Sequence, residues 1–379
     1  MAEGSAGAAS PAWRSQPGRA VRTWLFGDRV GLAIFLAVVC FGGLVWRADL
    51  FLTDTATLVR TLEALGDGRL WLDTVDADGG HFAAPGTEVR DGRVYGRNYG
   101  QVVAALPALA VLTVLDAVAN LRVALVAGWH LAALGLVAVV GPTVEREWPG
   151  AGPTIAKEDG PLPLGRPIGP GQILTVGGSL VVLCSFLVNA HLATQLPEPR
   201  TALLELLALQ VTTLVAAGFL AVFLYRLVDL AESRRVALAA GLAGGLVLPI
   251  GLWATIPKRH VFSALACVAV LYLFARSRDG EQTRVPVVGA VPLHRAGAYA
   301  VVGLLTWTHA AEGLFLFLAL VAVDLPTASD NDPRSLALVG AMFALSLVPT
   351  LVTNILVTGE FFRPPRALGG SGIAESPLG

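Results

Sequence analysis

Apolar runs recur along most of this chain, with short polar breaks between them. Mostly apolar stretches, uncharged except for Glu205 and Arg226, cover about 30–46, 123–140, 173–189, 203–228, 236–256, 261–275 and 336–357. Each approaches the roughly 20 helical residues needed to span a hydrocarbon core, and each is read as a membrane helix. Two further stretches fit less simply. Val102 to Ala119 is short and contains Pro107 and Asp116, whereas Ala298 to Leu325 is too long for one ordinary span and is interrupted by TWTHAAEG (Thr306 to Gly313). One long polar segment, Arg47 to Gln101, separates the first run from the rest. Within it, Leu58, Leu62 and Leu65 recur at helical spacing in TATLVRTLEAL, which predicts an amphipathic interfacial helix.

Charge orders these elements across a bilayer. The segments ending in Arg226, Arg234 and Arg235, and in Arg276, Arg278 and Arg284, are basic and so are placed in the cytoplasm. Arg14, Arg19, Arg22 and Arg29 precede the first run, and no small-residue cleavage pattern follows Trp46, so this run reads as a retained signal-anchor with a cytoplasmic N-terminus. Parity then requires 102–119 to be re-entrant or interfacial, and 298–325 to be a hairpin of two short helices broken near His309. The expected organisation is a cytoplasmic tail (1–29), a membrane domain (30–357) with an outer loop (47–101) and a cytoplasmic loop (141–172), and an outer tail (358–379). The end of the sequence, SGIAESPLG, is read either as a short outer tail or as the point where a longer protein has been cut.

Composition agrees with this patterning. The 379 residues are 54% hydrophobic and 15% charged, with mean hydropathy +0.66, too apolar for a soluble domain. The expected fold is an all-α, polytopic integral membrane protein, because backbone groups in lipid must bond internally. A net charge of −1 gives no bulk attraction to nucleic acid, and the partners expected from the patterning are membrane lipids. Lys157 and Lys258 are the only lysines, a bias that matches a GC-rich genome. Cys40, Cys184 and Cys267 sit in apolar runs without metal-ligand spacing and read as small buried hydrophobes.

Candidate chemistry concentrates in the polar segment and in the helix breaks. Asp54 falls near the first turn of the predicted interfacial helix. There it serves as an N-cap, as a general base at the membrane surface, or as both. DTVDADGGH (Asp73 to His81) places Asp76 and Asp78 where hard divalent cations such as Mg²⁺, Mn²⁺ or Ca²⁺ find oxygen ligands; an ordinary acidic turn is the competing reading. DGRVYGRNYGQ (Asp91 to Gln101) sets Arg93, Arg97 and Tyr99 beside a membrane helix, as a phosphate grip or as a plain interfacial anchor. PKRH (Pro257 to His260) puts Lys258, Arg259 and His260 in an outer turn against the positive-inside trend, which either a phosphate partner or snorkelling explains. Arg363 and Arg366 add cations to the same face. His309 and Glu312, at i, i+3 and membrane depth, are a functional pair or a self-satisfying one. His130, mid-span, is expected to bond a neighbouring helix. No Walker loop, dinucleotide glycine motif, nucleophile elbow or HExxH is present, which excludes the usual nucleotide-driven pumps and soluble-type hydrolases.

Four stretches together resemble the membrane-embedded C-type glycosyltransferase superfamily, the GT-C fold. LTDTATLVRTLEALGDGRLWLD is similar to that family's first outer loop. DGRVYGRNYGQVVAALPALAVL resembles its "dGxyYsxxxPGxxLLalP" element, with Tyr99-Gly100 in place of Pro-Gly. LPIGLWATIPKRHVFSALACVAVLYLFARSR resembles the span pair whose outer turn faces the donor phosphate. VVGLLTWTHAAEGLFLFLALVAVDLP occupies the place of the broken helix pair, with His309 and Glu312 where an arginine is common. The resemblance implies sugar transfer, with inversion, from a polyprenyl-phosphate donor to an acceptor glycan, lipid or protein. Asp54 takes the catalytic acidic position, and Lys258 and Arg259 take a phosphate-facing one. A carrier or flippase for lipid-linked saccharides is the competing expectation, and a non-catalytic membrane protein the third.

Overall fold

The computed structural model describes residues 23–48, 53–72, 86–147, 169–195, 203–247, 250–279, 283–285 and 289–367. The protein is an all-α, polytopic membrane bundle with few strands. Its helices are α1 (Arg29–Leu44), α2 (Thr53–Gly66), α3 (Tyr99–Val118), α4 (Leu121–Glu147), α5 (Pro170–Gln195), α6 (Leu203–Val228), α7 (Arg234–Leu246), α8 (Ile250–Trp253), α9 (His260–Arg278), α10 (Leu293–Thr308), α11 (Ala310–Thr327) and α12 (Pro333–Thr358). Seven of them are long and apolar enough to cross a membrane. Asp28 starts α1: its Oδ1 accepts from the Gly31 amide at 2.8 Å, and its Oδ2 accepts from Tyr225 and Arg234 at 3.0 and 2.7 Å.

Contacts between helices fix their directions. Gly42 meets Leu214, Gly218 meets Phe35 and Tyr225 meets Asp28, so α6 runs antiparallel to α1. Trp129 packs on Gly43 and donates to the Cys40 carbonyl at 2.9 Å, while Gly135 meets Leu36, so α4 is antiparallel to α1 as well. From α4 onward the chain alternates between two faces, α7 and α8 together making one crossing. The face reached by the end of α1, where α2 lies, is called the insert face below. α6 is the central helix, with 72% of its most apolar stretch buried, against 6% and 0% for the peripheral α4 and α5.

Although α3 has the length and hydropathy of a span, both of its ends adjoin the insert face. It starts against Thr308, where α10 ends, and it packs on α2 at Gly66 and beside Leu206 and Leu207 at the start of α6. After Ala119 and Asn120 it leads into α4, whose first residues lie beyond the insert-face end of α1. Having both ends at one face sets it apart from the crossing helices. Leu58 and Leu62 of α2, 3% and 0% exposed, supply the apolar side of its seat.

Several elements differ from the sequence expectation. Residues 236–256 are interrupted: α7 ends at Leu246, and α8 starts after Pro249, a proline that cannot donate to the helical ladder. The chain turns at His309 as expected, but α10 and α11 are longer than two short helices and each run from one face to the other, since Arg295 and Asp324 pair at the far end. α4 extends into the expected loop 141–172 as far as Glu147, and α5 starts at Pro170. Cys184 and Cys267 are exposed on the bundle's periphery, where lipid rather than protein covers an apolar side chain. His130 donates from Nδ1 to the Val126 carbonyl (2.7 Å) and accepts at Nε2 from Ser185 of α5 (3.1 Å), so it ties α4 to α5.

The polar segment also holds a small antiparallel sheet of β1 (Trp71–Leu72), β2 (Glu88–Arg90) and β3 (Arg93–Tyr95), in the order β1-β3-β2. Asp91 and Gly92, at φ 51° and 72°, make the two-residue turn between β2 and β3. Left-handed residues there match the twist of the paired strands. A second hairpin joins β4 (Thr283–Val285) to β5 (Gly289–Val291) at the opposite face.

Candidate functional site

At the insert face, the β3–α3 junction, the α10–α11 turn, the end of α12 and the segment after it enclose a cleft of about 300 Å³. Its lining includes Arg97, Asn98, Tyr99, Trp307, Thr308, His309, Asn354 and Arg366. Gly100 makes the assembly possible: a Cβ there would stand 2.9 Å from the Thr308 amide and hydroxyl and from the Trp307 carbonyl carbon. The cleft's far wall is held by Asn354, which donates to the Phe361 carbonyl at 2.8 Å, and by Thr358, whose hydroxyl lies within hydrogen-bond distance of the Asn354, Glu360 and Arg363 carbonyls. Arg90 donates to the Val357 carbonyl at 3.0 Å and anchors the sheet to the end of α12.

Positive charge dominates one end of the cleft. Arg366 Nη1 contacts His309 Nε2. A guanidinium can only donate, so Nε2 faces a donor. Nδ1 accepts from the Glu312 amide at 3.3 Å as the N-cap of α11, and it lies 3.5 Å from the Glu312 carboxylate. Behind it, Glu312 accepts from Arg259 at 3.1 Å and from the Ser263 hydroxyl, both on the α9 side. Burial, then the guanidiniums of Arg97 and Arg259, push Arg366 below its ordinary value. Glu88 is pushed up by burial, against the pull of Arg97 and Arg366. Among the described residues, three guanidiniums (Arg97, Arg259, Arg366) and two carboxylates (Glu88, Glu312) act on this cluster around His309, which burial and then Arg259 hold below its ordinary value. Such a surplus favours an anion.

The sequence candidates divide accordingly. Arg97, Tyr99 and His309 line the cleft, although the Tyr99 hydroxyl is committed to the Leu70 carbonyl at 3.0 Å. Arg259 and Glu312 satisfy one another behind His309, so Glu312 is an internal counter-charge for the basic PKRH turn. Lys258 and His260 lie outside the lining, and the His260 ring packs edge-on against Trp253 with centroids 5.4 Å apart. Arg93 lies over the Trp71 ring, 4.2 Å from its centroid, also outside the lining. Asp54 is in the first turn of α2, and its side chain lies outside the described residues, as do Asp76 and Asp78. Thr61, two turns further along α2, abuts Gly96 next to Arg97. Among the described residues no cluster of His, Cys, Asp and Glu has the makings of a metal site.

Three contributors were not singled out from the sequence. Asn98 and Ser263 are ordinary polar residues at helix starts, and only packing gives them partners or a cavity. Gln210, 1% exposed in α6, accepts from Trp46 at 2.7 Å and donates to the Arg47 and Thr255 carbonyls. An amide in the middle of an apolar run was its available signal. Comparison with protein-family models, curated proteins and solved structures finds no match for this chain.

Proposed function

We propose that this protein is a membrane-embedded glycosyltransferase that moves a sugar from a polyprenyl-phosphate donor to an acceptor hydroxyl at the insert face. The observation that carries this reading is the cation-rich cleft, small enough for one headgroup and set where apolar helices end. A lipid phosphate presents its charge at that level while its chain stays among the helices. Arg97 and Arg366 hold the phosphate, and His309 orients Arg366. Asp54 takes the proton of an acceptor hydroxyl, whose oxygen bonds the anomeric carbon. The bond from that carbon to the phosphate oxygen breaks on the opposite side, and the lipid phosphate leaves with the electron pair, giving inversion. Asp54 precedes Thr61 by about two turns along α2, roughly 10 Å.

Sidedness follows from charge. Arg226, Arg234, Arg276 and Arg278 all gather at the face opposite the cleft. That basic face is cytoplasmic by the positive-inside rule, which puts the cleft outside. The insert face carries cations of its own, Arg90, Arg93, Lys258 and Arg363 among them, and a phosphate ligand accounts for those of the cleft.

Transfer from a panel of radiolabelled polyprenyl-phosphate sugars, by protein in lipid, tests the proposal. Wild type transfers from at least one donor, and Asp54→Asn loses about 100-fold or more, the usual contribution of a general base. Normal turnover in the variant sinks the role of Asp54. The interrupted α7–α8 crossing favours a second reading, a carrier for lipid-linked saccharides. Movement of the labelled lipid across vesicles without transfer selects that one.

A further inference from the structure

Beyond α12 the chain turns back on the helix it has just left. Gly359, in the left-handed region at φ 80°, ends α12. The Asn354 amide donates to the Phe361 carbonyl at 2.8 Å, and the Thr358 hydroxyl lies 3.1 and 3.0 Å from the Glu360 and Arg363 carbonyls. Glu360 and Arg363 pair at 3.1 Å across a turn whose two central residues are Phe361 and Phe362. Turn tips that face water carry Gly, Pro, Asn, Asp or Ser. Here the tip is two phenylalanines, 58% and 89% exposed. Neither lines the cleft, whereas Pro364, Pro365 and Arg366, next in the chain, form its wall.

Depth identifies what covers the two rings. α12 has 26 residues and is roughly 39 Å long, against about 30 Å of hydrocarbon, so about three residues project beyond the core at each end. Asn354 is four residues before the end, and helical side chains lean toward the N-terminus, here away from the insert face. A carbonyl that meets the Asn354 amide is therefore at the edge of the hydrocarbon. Phe361 and Phe362 start from that level, outside both the bundle and the cleft, where lipid is the neighbour. Exposed apolar surface bordered by charge suits that boundary, with Glu360 and Arg363 among the headgroups.

We propose that Phe361 and Phe362 insert into the bilayer leaflet at the insert face, so that lipid anchors the wall of the cleft that carries Arg366. The anchor is independent of what the cleft binds.

The test uses nitroxide labels on the full chain in phosphatidylcholine–phosphatidylglycerol vesicles, with Cys40, Cys184 and Cys267 replaced by alanine. Power saturation compares collisions with oxygen, which concentrates in lipid, and with a water-soluble nickel chelate. Labels at Leu356, exposed on the last turn of α12, and at the exposed Asp67 after α2 give the lipid and water references. A label at Phe362 is expected to show an oxygen-to-nickel ratio near that of Leu356. A ratio near that of Asp67 puts the turn in water and overturns the proposal. Shielding from both reagents also overturns it, in favour of a second copy or another protein. Anchoring is read from a label at Ala367. Phe361→Ser combined with Phe362→Ser, both outside the core, is expected to raise the mobility of that label; unchanged mobility overturns the anchor.

Discussion

His309 can accept from a donor only while its ring is neutral, since a protonated ring has no acceptor to offer. Burial, and then the guanidinium of Arg259, hold His309 below its ordinary value; Arg366 and Arg97 push the same way and Glu312 opposes them. A base whose folded value is lowered stabilises the fold fully above its ordinary value, near 6.5. That stability is lost as pH falls from there through the lowered value. Acidification from pH 7.5 to 5 is therefore expected to loosen the segment after α12, read as increased mobility of a spin label placed at Phe362. His309→Gln, which does not titrate, is expected to abolish this response. His309 and Glu312 were legible in the sequence because ionisable groups at membrane depth are conspicuous. Arg366 acquired its place only by folding back across 57 residues onto His309.

Among elements, α3 shows how close approach shapes the site. Its first turn sits against the end of α10 because Gly100 has no Cβ. Gly100→Ala puts a methyl against the backbone of Trp307 and Thr308, and backbone yields less readily than a side chain. A loss of about 1–3 kcal/mol is expected, the common cost of overpacking, measured by thermal unfolding in detergent, with weaker phosphate binding alongside. The interfacial helix α2 was legible from the spacing of Leu58, Leu62 and Leu65. The β2–β3 hairpin was equally available, since Asp91-Gly92 between alternating residues is a strong two-residue turn signal. The break between α7 and α8 was hidden because Pro249 lies in a run apolar enough to pass for one span.

In the molecule as a whole, the cleft and its strongest support lie at opposite ends of the same helices. Asp324 of α11, 1% exposed, accepts from Arg278 of α9 at 2.7 Å, from Arg295 of α10 at 2.7–2.8 Å and from Tyr299 at 3.0 Å. Arg295 also donates to the Asp330 carbonyl and to Asn331 before α12. One carboxylate therefore holds together the helices that form the cleft at their other end. Asp324→Ala leaves Arg295 buried without its counter-charge. It is expected to cost about 3–5 kcal/mol, seen as a lowered melting temperature in detergent, with Asp324→Asn milder because it keeps an acceptor.

The sequence alone determined the class of protein, the positions of most crossings and the helix in the polar segment. These follow from local demands, since a bilayer requires apolar length and a helix at an interface requires apolar spacing. Only tertiary structure decided which charges meet. Arg259 faces Glu312 because α9 packs near the start of α11, while Arg97 and Arg366 share a cleft with Asn98 and His309 because α3, α10 and α12 end together. Side chains so far apart in the chain become neighbours through packing, and no spacing in the sequence records that.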